Sequence, residues 1–181
     1  MKKINIPITT KELENLKIGE KILVSGTIYT ARDAAHKRLV ALLEQGKELP
    51  FPIQNSAIYY VGPAPTPPGK IIGSAGPTTS YRMDPFATKL IQNGLKVMIG
   101  KGPRNKEVRD AMQKYSAVYL VAIGGAAVVM AKAVKKATII AYEDLGTEAI
   151  HRLEVENLPC FVANDIFGND IFETGVNKYK K

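Results

Sequence analysis

The sequence predicts an α/β fold in which largely parallel strands are buried between helices. The first observation behind this prediction is that strand-like and helix-like spacings of apolar residues alternate three times between residues 84 and 145. The second is that the strand-like segments are apolar runs typical of strands covered on both faces. The third is that 45% of the 181 residues are apolar, which suffices for one ordinary core. We therefore expect a single domain over residues 1–181.

A capping pattern and a β-branched run predict the first elements. Thr9 and Glu12 fit the T-x-x-E capping box, which indicates a short helix that ends near Gly19. The run KILVSGTIY over residues 21–29 predicts a strand, with Gly26 at a bulge or a close backbone approach.

A helix and an irregular connection come next. Residues 34–45 carry apolar side chains at helical spacing, and Gly46 follows as a stop signal. Residues 50–73 hold six of the eleven prolines, and strand-like segments lie at 57–61 and 70–75. We favour a long ordered loop here over a flexible linker or a ligand segment.

The second half of the chain carries the regular alternation. Asp84 is expected to cap a helix with Pro85 at its first position, and Asn105 is expected to cap another. The remaining expected elements are strands over 96–100, 117–124, 138–145 and 160–165 and a helix over 125–137.

One cysteine limits the chemistry available to this chain. Cys160 is the sole thiol, which excludes an intramolecular disulfide and any zinc or iron–sulfur site built from this chain's own thiolates. We expect no metal ligand here and expect Cys160 to be a small core residue. Early acidic residues argue against a secretory signal, and no apolar run approaches the roughly 20 residues of a membrane span. A cytoplasmic protein without a membrane partner is expected.

The net charge of +8 comes from 25 basic against 17 acidic residues. Without the five terminal lysines the balance is 20 against 17, or +3. We expect these five to be solvated: Lys2, Lys3, Lys178, Lys180 and Lys181. No RNP pattern, zinc finger or helix-turn-helix signal accompanies the charge, so the sequence favours no nucleic-acid partner.

The first of three polar loops lies around Arg32 and His36, four residues apart and therefore on one face of a helix start. A solvated face with an Asp33–Lys37 ion pair is the interpretation that this loop favours when it is considered alone. The other is an anionic ligand, because an arginine at a helix N-terminus opposes the macrodipole and an anion would compensate it.

The second loop, residues 76–84, lies between a strand and a capped helix. It contains Thr78, Thr79, Ser80 and Arg82, whose hydroxyl and guanidinium donors suit an anion near a helix N-terminus. An ordinary turn in which the hydroxyls satisfy the backbone explains the same residues. Both interpretations stay open, and the P-loop spacing is absent.

The third loop places Lys101 between two glycines directly after a strand. Glycines permit close backbone approach, and α/β sheets bind ligands at the carboxyl ends of their strands, although turn chemistry also explains the pattern. Gly124–Gly125 does not complete a dinucleotide-binding motif. His151, Glu148 and Glu154 show no pattern of a catalytic triad.

The loops resemble the β subunit of class I fumarate hydratases and the related tartrate dehydratases, which is the C-terminal domain in single-chain members. The first two matching segments are the most specific. In order along nearly the whole chain, the segments are SGTIYTARDAAH (25–36), GPTTSYRMD (76–84), GKG (100–102), YLVAIGGAA (119–127) and LGTEAIHRLEV (145–155).

The resemblance implies a swivelling β/β/α domain and a hydro-lyase that reversibly hydrates fumarate to L-malate. In that family a [4Fe-4S] cluster, bound by three cysteines of the α part, acts as the Lewis acid. A chain with one cysteine would need a separate α subunit to carry the cluster. The expected protein is thus a β subunit of a hetero-oligomer, α2β2, that is inactive alone.

The resemblance also implies roles for individual residues. Arg32, Arg82 and Lys101 look like ligands of the dicarboxylate substrate. Thr78 looks like a substrate contact that belongs to an acid–base pair with an aspartate of the partner. The residues expected to support these groups from behind are His36, Thr79 and Asp84.

Two alternatives stay open. An L(+)-tartrate dehydratase β subunit would differ in its substrate. A non-enzymatic anion-binding or nucleic-acid-binding module would bind polyanions as the isolated chain, with a steep dependence on salt.

Overall fold

A computed structural model describes residues 1–122 and 127–179. Its helices and strands form a mixed α/β fold with short 3₁₀ turns at Ser80–Met83 and Glu143–Glu148. The elements in chain order are β1 (Lys2–Ile6), α1 (Thr10–Leu13), β2 (Lys21–Thr30), α2 (Asp33–Glu44), β3 (Ala57–Tyr59), α3 (Asp84–Gln92), β4 (Val97–Gly100), α4 (Lys106–Tyr115), β5 (Val118–Ala122), α5 (Ala127–Ala133), β6 (Val134–Ala141), β7 (Ile150–Asn164) and α6 (Ile171–Tyr179).

The sheet is parallel from β1 to β5 in the order of the chain and antiparallel at β7. Strand β7 pairs with β5 on one side and with β2 on the other. These pairings close a ring of five strands, β2-β3-β4-β5-β7, while β1 and β6 extend it from β2 and β7. The predicted α/β class is confirmed, and the antiparallel β7 is what departs from a fully parallel sheet.

Strands β3, β4 and β5 are apolar throughout because both faces of the sheet are covered. Ala57 and Tyr59 join one buried cluster, together with side chains from β1, β2 and β7. Ile58, which points to the opposite face, joins a second cluster that also takes in the apolar faces of α2, α3 and α4. The core therefore has two layers, separated by the sheet.

Gly26 lies at a β-bulge in β2, as the sequence predicts. The register of β2 against β7 shifts between Val24 and Gly26. Gly26 has φ +105°, and a Cβ atom there would lie 2.2 Å from the carbonyl oxygen of Ile6 in the adjacent strand. Glycine is required because both the left-handed backbone and the close approach exclude a side chain.

The predicted caps are confirmed at two helices and wrong at a third. The capping box joins Thr9 and Glu12, although α1 ends at Leu13 rather than near Gly19. The Asn105 side chain caps α4 by accepting from the N–H of residue 108. Asp84 is the first residue of α3 and not its cap, because the preceding 3₁₀ turn runs directly into the helix and the carboxylate is used elsewhere.

The proline-rich segment is an ordered loop, but its expected strand over residues 70–75 does not form. The loop folds back on itself, and the N–H of Ala64 donates to the carbonyl oxygen of Ser74. The prolines of residues 63–68 lack N–H groups. The segment therefore cannot pair with 70–75 as a regular strand.

The last elements differ most from the predictions. The helix expected over 125–137 ends at Ala133, and the strand expected over 138–145 spans Val134–Ala141. Pairing with β7 recruits the two lysines of residues 135–136 into the strand, because an antiparallel neighbour outweighs local helix propensity. Strand β7 begins ten residues before the predicted 160–165.

The N-terminal lysines are exposed, as expected, but they lie in a strand and not in a free tail. Lys2 and Lys3 keep exposed side chains but belong to β1, and Lys2 Nζ lies 2.7 Å from a carboxylate oxygen of Glu20. Lys180 and Lys181 lie outside the described residues, as do the glycines of residues 124–125. Within 1–122 and 127–179, every helix is too short or too polar to cross a membrane.

Candidate functional site

The three polar loops converge at one edge of the sheet. Parallel strands β2, β3 and β4 end there, and Arg32 and Lys101 follow β2 and β4 by one or two residues. The loop of residues 76–84 lies between them and contacts both, through Thr79 and Ser80. Carboxyl ends of parallel strands are the usual place for ligands in α/β sheets, so this edge is the candidate site.

Arg32 is held in a fixed position at the start of α2. It is the N-cap residue, its side chain is only 10% exposed, and its Nη2 donates to the hydroxyl of Thr79 at 2.6 Å. Its Nε lies 4.0 Å from an oxygen of Glu148.

Asp33 brings the two arginines of the site together. Its Oδ2 lies 2.5 Å from Nη2 of Arg82, and its Oδ1 lies 3.9 Å from Nε of Arg32. The predicted pair with Lys37 is therefore wrong. The solvated-face interpretation is also wrong, because Arg32 and His36 are both buried. The Arg82 side chain is 52% exposed and stays accessible to a ligand.

The loop of residues 76–84 combines features of both earlier interpretations. The Ser80 hydroxyl is buried and accepts from the backbone N–H of Lys101 at 2.8 Å, as in an ordinary turn. The Thr79 hydroxyl instead receives the Arg32 guanidinium. Thr78 and the Lys101 side chain are exposed. The predicted ligands thus lie along one open edge.

Sequence reasoning missed Arg104. Its side chain is fully buried, and Nη1 donates to the carbonyl oxygen of Ser80 and to Oδ1 of Asp84, both at 2.7 Å. The other Asp84 oxygen accepts from the N–H of Asn105 at 2.9 Å. Burial raises the pKa of Asp84, against the opposing effect of these two partners. The only sequence signal for Arg104 was its place between the Gly-Lys-Gly turn and a capped helix.

His36 supports the site from beneath. It is fully buried, and its Nδ1 lies 2.9 Å from the carbonyl oxygen of Arg32. Burial lowers the pKa of His36 to about 4, so the ring is neutral near pH 7. Because the carbonyl can only accept, Nδ1 carries the proton. The ring packs edge-on against Tyr60, with centroids 5.3 Å apart.

The other titratable candidates have structural contacts. The His151 backbone N–H donates to the Thr30 hydroxyl at 2.9 Å, and Glu154 accepts from the Thr27 hydroxyl at 2.9 Å. Burial raises the pKa of Cys160 to about 12, in agreement with its predicted place in the core. Among the described residues, these contacts give no Cys–His pair and no catalytic triad at His36, His151 or Cys160.

The chain's own residues do not fit an iron–sulfur cluster. The sequence contains one cysteine, and that thiol is buried in the core. Across the described part of the chain, no three His, Cys, Asp or Glu side chains lie together where they could hold a metal ion.

Comparison with known proteins places the chain in a family. A family model described as Fumarase C-terminus matches residues 1–175. The chain is 46% identical to fumarate hydratase 1, mitochondrial, of Leishmania major and 43% identical to the anaerobic class I fumarate hydratase of Escherichia coli K12, over 93% and 92% of its length. It is 38% identical to the putative L(+)-tartrate dehydratase subunit beta of Methanocaldococcus jannaschii.

The share of each relative that is matched differs between the two groups. The chain spans 31% of the length of both fumarate hydratases. In the match to the tartrate dehydratase β subunit, the aligned region covers 90% of that subunit and 94% of this chain. The resemblance carried by the loops is confirmed, and the chain belongs to the Fumarase C-terminus family, which it shares with class I fumarate hydratases and tartrate dehydratase β subunits.

Proposed function

We propose that the chain is the β subunit of a two-subunit hydro-lyase that reversibly hydrates fumarate to L-malate. It would supply a dicarboxylate-binding half-site. The observation that carries this proposal is the convergence of three cations at one open edge: Arg32 and Arg82 share Asp33, and the Lys101 turn is bonded to the same loop.

The cations suit a dicarboxylate. Fumarate and malate are dianions with planar carboxylates, and a guanidinium binds such a group through two parallel N–H donors. Arg32 is buried and fixed by Thr79, so it would define one end of the substrate. Arg82 and Lys101 are accessible, and an incoming carboxylate would take the place of Asp33 at Arg82.

The same residues stabilise the charge that develops during the reaction. Removing a proton from the carbon next to a carboxylate moves negative charge onto that carboxylate. Donors that are already in place for this charge lower the barrier, and loss of one such donor costs about 3 kcal/mol of transition-state stabilisation. Arg32 and Arg82 are the donors to which we assign this effect.

Thr78 is the proposed catalytic residue of this chain. A threonine hydroxyl is a poor base at its own pKa, so it can move a proton only when another base lies beside it. The resemblance assigns that base to an aspartate of the partner. The exposure of Thr78 at the site edge is compatible with completion of the pair by a second chain.

The [4Fe-4S] cluster of this enzyme class is proposed to belong to the partner α subunit. The residues of this chain do not fit it, because its one thiol is buried in the core. We assign two roles to this chain: its cations bind the dicarboxylate, and Thr78 takes part in the proton transfer.

The proposed assembly is α2β2, in the cytoplasm, with residues 1–181 acting as one swivelling β/β/α domain. Support for a separate subunit comes from the tartrate dehydratase β relatives, of which this chain spans 90% and 87%. Helices α2, α3 and α4 pack together against one face of the ring of strands.

Co-expression with a candidate α chain tests the proposal. The neighbouring reading frame to choose is one that encodes three suitably placed cysteines. Anaerobic assay of fumarate hydration should show activity in the complex and none in the isolated chain. Substantial turnover by the isolated chain would contradict the division of labour proposed here.

A second candidate is an L(+)-tartrate dehydratase β subunit. It is favoured by the near full-length match to two relatives of that name, at 38% and 32% identity. The higher identity to fumarate hydratases favours fumarate. Comparing kcat/KM for malate and L(+)-tartrate in the reconstituted complex decides between the two substrates.

A further inference from the structure

We propose that Ser80 and Arg104 are positioning residues that hold the Lys101 turn against the loop bearing Thr79 and Arg82. This inference rests on the proposed function for its effect on substrate binding. Neither residue is among the substrate ligands that the family resemblance implies, and both are buried behind the edge where the cations lie.

Ser80 bonds in two directions. Its hydroxyl accepts from the backbone N–H of Lys101 at 2.8 Å, and its carbonyl oxygen accepts from Nη1 of Arg104 at 2.7 Å. The residue has no exposed surface, so water cannot replace either bond easily. Ser80 therefore fixes both the loop that contains it and the turn after β4.

Arg104 anchors this arrangement to two helices. Besides Ser80, it bonds Asp84 at the start of α3, and the same carboxylate accepts from the N–H of Asn105 at the cap of α4. The guanidinium also lies 4.7 Å from the ring centroid of Tyr119. These contacts hold the buried, permanently charged guanidinium between Ser80 and the two helices. We call Ser80, Asp84 and Arg104 the Ser80–Arg104 clamp.

Gly100 shows how closely the clamp approaches the turn. A Cβ at this position would lie 2.6 Å from the Ser80 hydroxyl oxygen and 2.7 Å from that of Tyr119. The residue before Lys101 must therefore be glycine for the turn to contact Ser80. Because the Lys101 side chain is exposed, its backbone contact with Ser80 is what determines where the ammonium group can reach.

Ser80→Ala tests the clamp with a small change. It removes the hydroxyl but leaves Asp84 and Arg104 paired, whereas a change at Arg104 would leave a buried carboxylate without its partner. Ser56→Ala is the matched control, since Ser56 is also buried and precedes β3 at the opposite edge of the sheet. Hydrogen exchange in the full chain reports on the Lys101 amide, and steady-state kinetics of the complex report on the substrate.

In Ser80→Ala we expect amide exchange at Lys101 to accelerate about fivefold or more, as for the loss of one hydrogen bond. We expect KM to rise about fivefold with kcat changed less than twofold, because a displaced cation weakens ground and transition states alike. Ser56→Ala should alter neither. Unchanged exchange at Lys101 overturns the clamp, and accelerated exchange with unchanged KM overturns its role in positioning. A wild-type complex without hydratase activity would contradict the proposed function, while the exchange measurement would still decide the clamp.

Discussion

Arg82 is the residue through which the proposed function can be tested with least damage to the fold. Its side chain is half exposed, and its ion pair with Asp33 lies at the open edge. Arg82→Ala should lower kcat/KM of the complex by about a hundredfold, because a donor to the developing charge is lost. Circular dichroism and thermal unfolding should show a folded subunit. Near-normal turnover would reject Arg82 as a substrate ligand.

Arg38→Ala provides the control for this variant. Arg38 is also an exposed arginine of an arginine–aspartate pair, with Asp144, and its side chain is 41% exposed. Exposed ion pairs contribute little to stability. We therefore expect Arg38→Ala to leave both turnover and stability close to wild type.

His36 predicts a specific dependence of stability on pH. Its pKa is about 4 in the folded chain against 6.5 in a model peptide, so the unfolded state binds a proton more readily between these values. The free energy of unfolding should fall as the pH falls from 6.5 to 4, by about 3 kcal/mol from this residue. Urea unfolding at pH 7.5 and pH 4 should show a smaller loss in His36→Gln than in wild type. Equal losses in the two proteins would exclude His36 as the source.

Cys160 should be inert in the native chain. Burial raises the pKa of its thiol to about 12, so almost no thiolate exists at neutral pH, and the sulfur is inaccessible. Iodoacetamide at pH 8 should leave the native chain unmodified and alkylate it fully in 6 M guanidinium chloride, as read by mass spectrometry. Rapid modification of the folded chain would show that this part of the core opens.

At the scale of single elements, β2 depends on its bulge. Gly26→Ala would place a Cβ 2.2 Å from the Ile6 carbonyl oxygen in a backbone with φ +105°. The expected loss of unfolding free energy is about 3 kcal/mol or more, from strain and overpacking together. Gly46 has φ +66°, but no heavy atom lies within 4 Å of the position that a Cβ would take. Gly46→Ala should therefore lower the free energy of unfolding by about 1 kcal/mol. Similar losses in thermal unfolding of the two variants would contradict a close contact between β1 and the bulge.

Element boundaries were predictable where the signal is local and not where a distant strand decides. The capping box of Thr9 and Glu12 and the cap at Asn105 involve residues three apart, and both were found as predicted. The boundary between α5 and β6 was misplaced by four residues, because Val134 pairs with Val155. A local pattern carries no information about a partner twenty residues away.

At the scale of the whole molecule, part of the positive charge is already neutralised by ion pairs. Several basic side chains on different elements are already paired with carboxylates, among them Lys2, Arg82, Arg104 and Arg109. We expect the isolated chain to bind neither duplex nor single-stranded DNA at 150 mM salt, as measured by fluorescence anisotropy. Binding with a steep dependence on salt would favour the nucleic-acid-binding alternative.

The sequence by itself determined the α/β class and the bulge at Gly26, and the resemblance of its loops to a known family implied a common site for Arg32, Arg82 and Lys101. Each depends on periodicity, a single residue type or a short motif. The tertiary structure alone decided that β7 closes a ring of strands, that Asp33 joins two arginines and that Arg104 is buried behind the site. Apart from the contact between the neighbours Arg32 and Asp33, these contacts join residues 20 to 140 positions apart. Their energy depends on burial and geometry, which spacing along a chain does not contain.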